Sequence, residues 1–447
     1  MDLRCDVAVL GAGAAGLAAA RALSRAGASA IVLEARDRIG GRLYTLEDPG
    51  LPLPVELGGE FIHGTADVSF ALLRAANTVA VDTGDTSFTY EDGELREGED
   101  PFEIVERVMR RVLDLREDVS VEEFLRGLPA DDPDTERERR YVRMLVEGFD
   151  AADPALASVG AIAGEWTGGE GGQTSEQFRP LGGYARLLRT LHGALDPSRV
   201  HVRLTTRARV LHRHRDGVTV DATAPDGVPL KVHARAAIVT LSAGVLNAHG
   251  VRFEPELPQP TRDALARIVM GPVIKLVLRF RSAFWERVHG ERYRYGAFFH
   301  NADAAFPTFW TMLPLRAPVL VAWAGGPKAD ALAHRDTGAL IATALEDLRT
   351  MFGNEPDPAA ELETAYAHDW QRDPYSRGAY SYISVGDGDP RATLAQPIDG
   401  VVFFAGEATA PLSEAGTVAG ALQSGERAAS EALARLADTI GITGKQD

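Results

Sequence analysis

Cysteine is almost missing from this chain: Cys5 is the single one in 447 residues. That excludes an internal disulfide and any cysteine-based metal site, and Cys5, at the start of an apolar strand, reads as a small core residue. Long hydrophobic runs are missing too. None approaches the roughly 20 residues that a membrane helix requires. The opening MDLRCDVAVL lacks the apolar stretch and cleavage site of a secretory leader, and the polar ADTIGITGKQD segment is no anchor. The expectation is a cytoplasmic protein with no membrane partner. Basic residues are outnumbered, 47 against 64 acidic, for a net charge of -17. Nonspecific nucleic-acid binding needs clustered Lys and Arg to neutralise phosphates, so no nucleic-acid partner is expected. An acidic surface serves solubility and mildly attracts cations. Repeats and low-complexity tracts are absent.

What is present is an ordinary globular composition, 45% hydrophobic and 25% charged, with length for two domains and a large core. Residues 6–10 predict a strand, 17–26 an Ala/Leu-rich helix and 29–34 a second strand. Between the first two lies Gly11-Ala-Gly13-Ala-Ala-Gly16, and Glu34 ends the second strand. In such a unit the glycines allow a tight turn, close approach of backbone to a pyrophosphate, and helix–strand packing, while the acid accepts from ribose hydroxyls. The glycine pattern alone is weak; with strand, helix and acid correctly spaced it is a dinucleotide site. A second half-site lies far along the chain. The apolar run 401–405 meets Gly406-Glu407, and Gly416 opens a long helical pattern at Thr417-Val418. Backbone N–H groups at a helix start favour negative charge. The chain therefore leaves a nucleotide-binding domain and returns to it.

Between these ends, 66–150 reads as mainly helical, with an exposed loop at 128–134, and 166–175 as glycine-rich and irregular. An amphipathic helix is expected at 182–195. The pattern then turns to β-ribbon over 200–241, with hairpin turns at Asp216-Gly217 and Asp226-Gly227. Aromatic-rich alternation over 272–325 predicts a second sheet lining a pocket, and 337–351 a helix.

Five segments carry a resemblance: EARDRIGGR (34–42), GGEFIHG (58–64), GPVIKLVLRF (271–280), HDWQRDPYSRGAYSY (368–382) and the Gly406-Glu407…Gly416-Thr417-Val418 block. Together they resemble the flavin-dependent amine oxidases. The resemblance implies an α/β fold of glutathione-reductase-like architecture. A Rossmann-type FAD-binding domain (1–70, 196–270, 390–440) would join a mixed-sheet plus helical substrate domain (71–195, 271–389). It implies FAD contacts at Gly11, Gly13, Gly16, Glu34, Ala35, Arg36, Gly41, Arg42, Gly58, Gly59, Glu60, Phe61, Val210, Trp370, Gly406, Glu407, Thr417 and Val418. It also implies a catalytic set of Lys275, Tyr380, His63, Glu60 and Thr417, with no metal.

By alternation alone Lys275 shares a face with Val277 and Arg279, the exposed side of a half-buried strand. The resemblance turns it toward the flavin, where a held water would assist imine hydrolysis or reoxidation. Tyr380 becomes one wall of an aromatic cage that meets the amine nitrogen through its face, with Glu60 and His63 close to the substrate. Monoamine oxidases carry a cysteine before the cage tyrosine and link their flavin there; Ala379 implies noncovalent FAD. They also close the cage with a second tyrosine where this chain has Thr417, a feature closer to polyamine oxidases and the lysine-specific histone demethylase. The expected reaction is oxidation of an amine to an imine and then an aldehyde, with O2 reduced to H2O2. A polyamine is favoured, or a primary mono- or diamine, and the protein would be a monomer or homodimer. An L-amino acid oxidase or a desaturase of the same fold is the alternative within the class. A non-catalytic FAD-binding interaction protein is the alternative outside it.

Overall fold

The computed structural model describes the chain except Thr65, Asp85, Glu99 and residues 130–132, 168–175 and 444–447, and except the side chains of 113, 114, 133 and 438–443. The loop expected at 128–134 and the irregular stretch expected at 166–175 therefore lie partly outside the described residues. Trp166 and Thr167 end a helix, Val159–Thr167.

The first sheet grows from the glycine-rich unit. Strand Asp2–Leu10 lies parallel between Ala30–Leu33 and Pro229–Val239, with Val200–Arg203 beyond Ala30–Leu33. These strands are almost continuously apolar at their centres because both faces are covered. Pro229–Val239 serves two neighbours in turn. Its first half pairs antiparallel with Gly217–Thr223, and its last residues pair parallel with Val402–Phe404. A ribbon thus peels away from one side of the sheet, while a strand from the far end of the chain completes the parallel part. The ribbon continues through Arg207–His214 to Arg252–Glu254.

Helix Ala14–Arg25 packs on this sheet and against the last described helix, Val418–Thr443. The approach is close: a Cβ on Gly425 would stand 2.2 Å from Ala15 O. Arg21 and Glu426, 405 positions apart, pair at 2.6 Å on the rim. One core runs from Val7 and Leu17 to Leu422 and Ala429.

The second sheet runs Leu362–Asp369, Val273–Phe280, Val319–Gly325, Thr308–Trp310, Phe298–His300, Ser87–Glu91 and Glu94–Glu97. The last two strands fall in the stretch expected to be mainly helical. Their SFTYE and ELRE segments alternate around a two-residue turn, and Phe88 and Leu95 point into an aromatic core. The same stretch does supply helices Pro101–Met109, Val121–Gly127 and Pro133–Gly148, which pack with Val159–Thr167 as a helical lobe beside the sheet. Helices Gly183–Gly193 and Thr337–Phe352 form where expected.

Candidate active site

A cavity runs between the two sheets and under the helical lobe. At one end its wall is backbone. Gly11 and Gly13, then Gly40 and Gly41, face it from two turns joined by a bridge between Gly13 and Gly40. Gly16 stands behind this wall, where a Cβ would sit 2.0 Å from Gly11 O. Only glycine lets the helix come that close. Glu34, buried at the strand end, accepts from Ala12 N at 2.7 Å and Arg36 N at 2.8 Å, so its carboxylate fixes the turn it faces. Ala35 and Arg36 also line the cavity. The Arg36 guanidinium is engaged elsewhere, in a bidentate pair with Asp373 at 2.7 and 2.8 Å and a bond to Ser376.

Arg42 crosses to the far-end half-site. Its Nη1 donates to Glu407 Oε1 and Ala379 O, both at 2.7 Å. Glu407 also accepts from Ser381 Oγ at 2.7 Å, with the buried Arg391 3.8 Å away. Burial pushes the Glu407 carboxyl upward, but Arg42 and Arg391 outweigh it and hold the group below the usual carboxylate range. Gly58 and Gly59 line the cavity beside this arginine; a Cβ on Gly58 would meet Arg42 O at 1.9 Å. Trp370 is buried, its Nε1 bonded to Leu57 O at 2.9 Å and its ring 4.2 Å from His368. Gly406, at φ 132°, has open space where a Cβ would stand, and Val418 lines the cavity as the first helical residue. Two glycine turns, two helix starts and a paired Arg–Glu bridge suit a long, anionic, planar-ended cofactor, and they are the residues that would hold one.

Val210 is not among the residues that line the cavity, whereas Thr206, Arg207 and Ala208 of the same segment are. A register shift between Ala208 and Val210 breaks the two-residue repeat that would have put both on one face.

The remaining expected residues meet at the other end. Lys275 is 1% exposed. The alternation along Val273–Phe280 is as expected, but both faces are covered. Ile274, Leu276, Leu278 and Phe280 enter one core, and Val277 enters another with Val55, Leu57 and Trp310. Glu60, expected beside the substrate, has its carboxylate filled by Lys275 at 2.7 Å, Arg179 at 2.9 Å and Trp310 at 3.3 Å. Phe61 packs on Trp310 and lies under the Arg179 guanidinium. Tyr380 is fixed by its hydroxyl, 2.5 Å from Phe149 O, with Gly416 against its ring. Thr417 caps the long helix: its Oγ1 accepts from Gly420 N at 2.9 Å and donates to Glu414 O. His63 lies edge-on to Phe149, 5.4 Å away, and its buried Nδ1 has no partner. Burial lowers its pKa to about 4, so the ring is neutral.

Two acids that sequence reasoning did not single out face the same space. Asp150 and Glu165, 5% and 6% exposed, line the cavity near Phe102, Phe149 and Tyr380. Asp150 accepts from Trp166 Nε1 at 3.1 Å. Glu165 Oε1 lacks a hydrogen bond, Arg391 standing 3.7 Å off. Burial raises both acids. Asp150 is pushed further by Glu165, and Glu165, despite the nearby Arg391, rises to about 7. The helix VGAIAGEWT carries one charged residue among apolar ones, and that was the available signal for Glu165. Asp150 had none.

A family model described as flavin containing amine oxidoreductase matches residues 14–433. The "Probable polyamine oxidase 4" of Arabidopsis thaliana is 30% identical over 98% of this chain and 89% of its own length. The lysine-specific histone demethylase 1 homolog 3 of the same plant is 28% identical over 95% of this chain, but over 29% of its own length. A solved structure of a putrescine oxidase triple mutant superposes with a TM-score of 0.80 at 24% identity, covering 97% of this chain and 100% of that one, which establishes a shared fold.

Proposed function

Since this chain belongs to the flavin-containing amine oxidoreductases, we propose that it oxidises a di- or polyamine and passes the electrons to O2. The buried pair Asp150 and Glu165 carries the reading. Two acids held out of water are costly to ionise when the nearby cation, Arg391, stands 3.7 Å from Glu165 and is shared with Glu407. The distal ammonium of a diamine supplies a further counter-charge. A simple monoamine does not, and an amino acid would bring a carboxylate that the pair repels.

FAD held there would supply two-electron redox chemistry, taking a hydride equivalent from the carbon beside the reacting nitrogen and passing the two electrons to O2, which with two protons would leave as H2O2. The nitrogen loses its proton to give an imine, and water splits the imine into an aldehyde and an amine or ammonia. The reacting nitrogen must be neutral to support this, so one molecule has to present an uncharged amine at one end and a cation at the other. The protein's side chains are arranged for both. Tyr380, pinned by Phe149 O, offers a ring face to the neutral end, and the acid pair waits beside the aromatic wall for the charged end. His63, already neutral, brings no competing charge. Lys275 stands on the floor with a donor free for water or for O2 as it is reduced.

An amine panel with peroxide detection tests this. Putrescine and spermidine should turn over with kcat/KM at least about tenfold above butylamine and benzylamine. Equal or better turnover of the monoamines would remove the diamine reading, and no peroxide with any amine would remove the oxidase reading. Ala379 lines the cavity and Cys5 lies in the first strand. Denaturation should therefore release free FAD into the filtrate; colour retained on the chain would show a covalent link.

A further inference from the structure

The cavity floor holds a charge arrangement that substrate recognition does not require. Lys275 Nζ donates to Glu60 Oε2 at 2.7 Å and to Gly58 O at 3.1 Å. Arg179 reaches Glu60 Oε1 with Nε at 3.0 Å and Nη2 at 2.9 Å, and Trp310 Nε1 lies 3.3 Å from both carboxylate oxygens. Arg179 is anchored in turn by Leu313 O and Thr311 O. An ammonium has three donors. Two are committed, which leaves one for a molecule in the cavity that Lys275 lines.

We propose that Glu60 is a positioning residue, which holds Lys275 as an ammonium with its third N–H presented to the cavity. Without Glu60 the floor would contain two buried cations and no contacting anion, and a buried lysine in that setting sheds its proton. The carboxylate is secured as well: burial pushes Glu60 upward, but Lys275 and Arg179 outweigh it and keep it below the usual carboxylate range. The other titratable groups near Lys275 do not substitute. Glu56 is engaged by Thr45 Oγ1 and Tyr184 N. His368, Lys275's cross-strand neighbour, is paired with Asp373. His63 and His300 in the wall are both lowered to about 4 by burial and so are neutral. The consequence is chemical. An ammonium can donate to water or to O2 as it gains charge; a neutral amine would act as a base instead. This assignment holds whichever amine is oxidised.

The chain has four lysines, Lys231, Lys275, Lys328 and Lys445, so lysine labelled with 13C at Cε gives four resonances in the FAD holoenzyme, and Lys275→Met identifies one. In Glu60→Gln the titration midpoint of Lys275 should fall by about two pH units, and kcat at saturating amine should lose its alkaline side by the same shift. In Arg179→Gln the midpoint should not fall, because Glu60 then serves Lys275 alone. A midpoint unchanged in Glu60→Gln, or an equal fall in both variants, would overturn the proposal, the second outcome marking a loosened core. If Glu60→Gln does not fold, the Glu60→Gln/Arg179→Gln double variant removes one charge of each sign, and its Lys275 midpoint should still fall; no fall overturns the proposal equally. The titration requires no amine turnover, so its failure is separate from failure of the substrate reading.

Discussion

Asp150→Asn and Glu165→Gln should each lower kcat/KM for a diamine by on the order of 100-fold and leave that for a monoamine within about threefold. Removing one partner of a desolvated charge contact costs about 2–5 kcal/mol, and a contact made only by the distal nitrogen is lost only by substrates that have one. Both replacements keep side-chain size, and the amide oxygen introduced by Asp150→Asn can still accept from Trp166. Relief of a buried charge should leave folding intact or firmer. The pH dependence has a fixed sign. Glu165 is raised to about 7 by burial, so in the empty site it is protonated below that value and ionised above it. Attraction for a distal cation is therefore lost as pH falls through about 7, and KM for putrescine should climb there. Glu165→Gln should flatten that climb while the remaining pH dependence, set by the reacting amine, persists. A diamine KM profile identical in wild type and Glu165→Gln would detach Glu165 from the substrate.

Gly16→Ala should yield a folded but colourless protein, with FAD affinity reduced on the order of 100-fold. A methyl at this position would sit 2.0 Å from the carbonyl oxygen of Gly11 and 3.1 Å from Thr240 Oγ1. Backbone cannot yield as a flexible side-chain tip can. Overpacking of this kind costs about 1–3 kcal/mol or more, and the strain falls on the turn whose amides face the cofactor. Gly193→Ala, near a helix end with nothing within 4 Å of the added carbon, should remain yellow and is the control. Flavin absorbance per chain after gel filtration, with circular dichroism to confirm folding, decides the matter. A fully yellow Gly16→Ala protein would mean that the turn is looser than its geometry indicates.

The contrast between these two sites shows what was legible in the chain. The cofactor end could be read because its requirements are local. A glycine where a helix must touch a strand, an acid at the next strand end and an arginine after two glycines are each fixed by a few neighbouring residues. The other end is assembled from distant segments, and there local pattern misled or fell silent. Lys275 follows the two-residue repeat of its strand faithfully, yet the repeat cannot tell that the second face is covered by Leu57 and Trp310. Glu60 was placed by motif beside the substrate, but its partners Arg179 and Lys275 lie 119 and 215 positions away. Thr417 reads as a missing cage wall from its motif and as a helix cap from its hydrogen bonds. Asp150 is one acid among 64 acidic residues, and only the packing of Trp166 against it sets it apart. Val210 is not among the residues lining the cavity, for a smaller reason, one extra residue in its strand.

The contact between helices Ala14–Arg25 and Val418–Thr443, and the pairing of Val402–Phe404 beside Pro229–Val239, also bear on how the protein is made. While the ribosome is still adding residues before 400, the glycine turn has no Gly425 behind Ala15, no Glu407 for Arg42 and no last parallel strand. The cofactor's seat is thus finished only once residues 402–425 have emerged and folded back onto the first sheet. Until those residues arrive, the first sheet and helix Ala14–Arg25 keep an apolar edge and face uncovered.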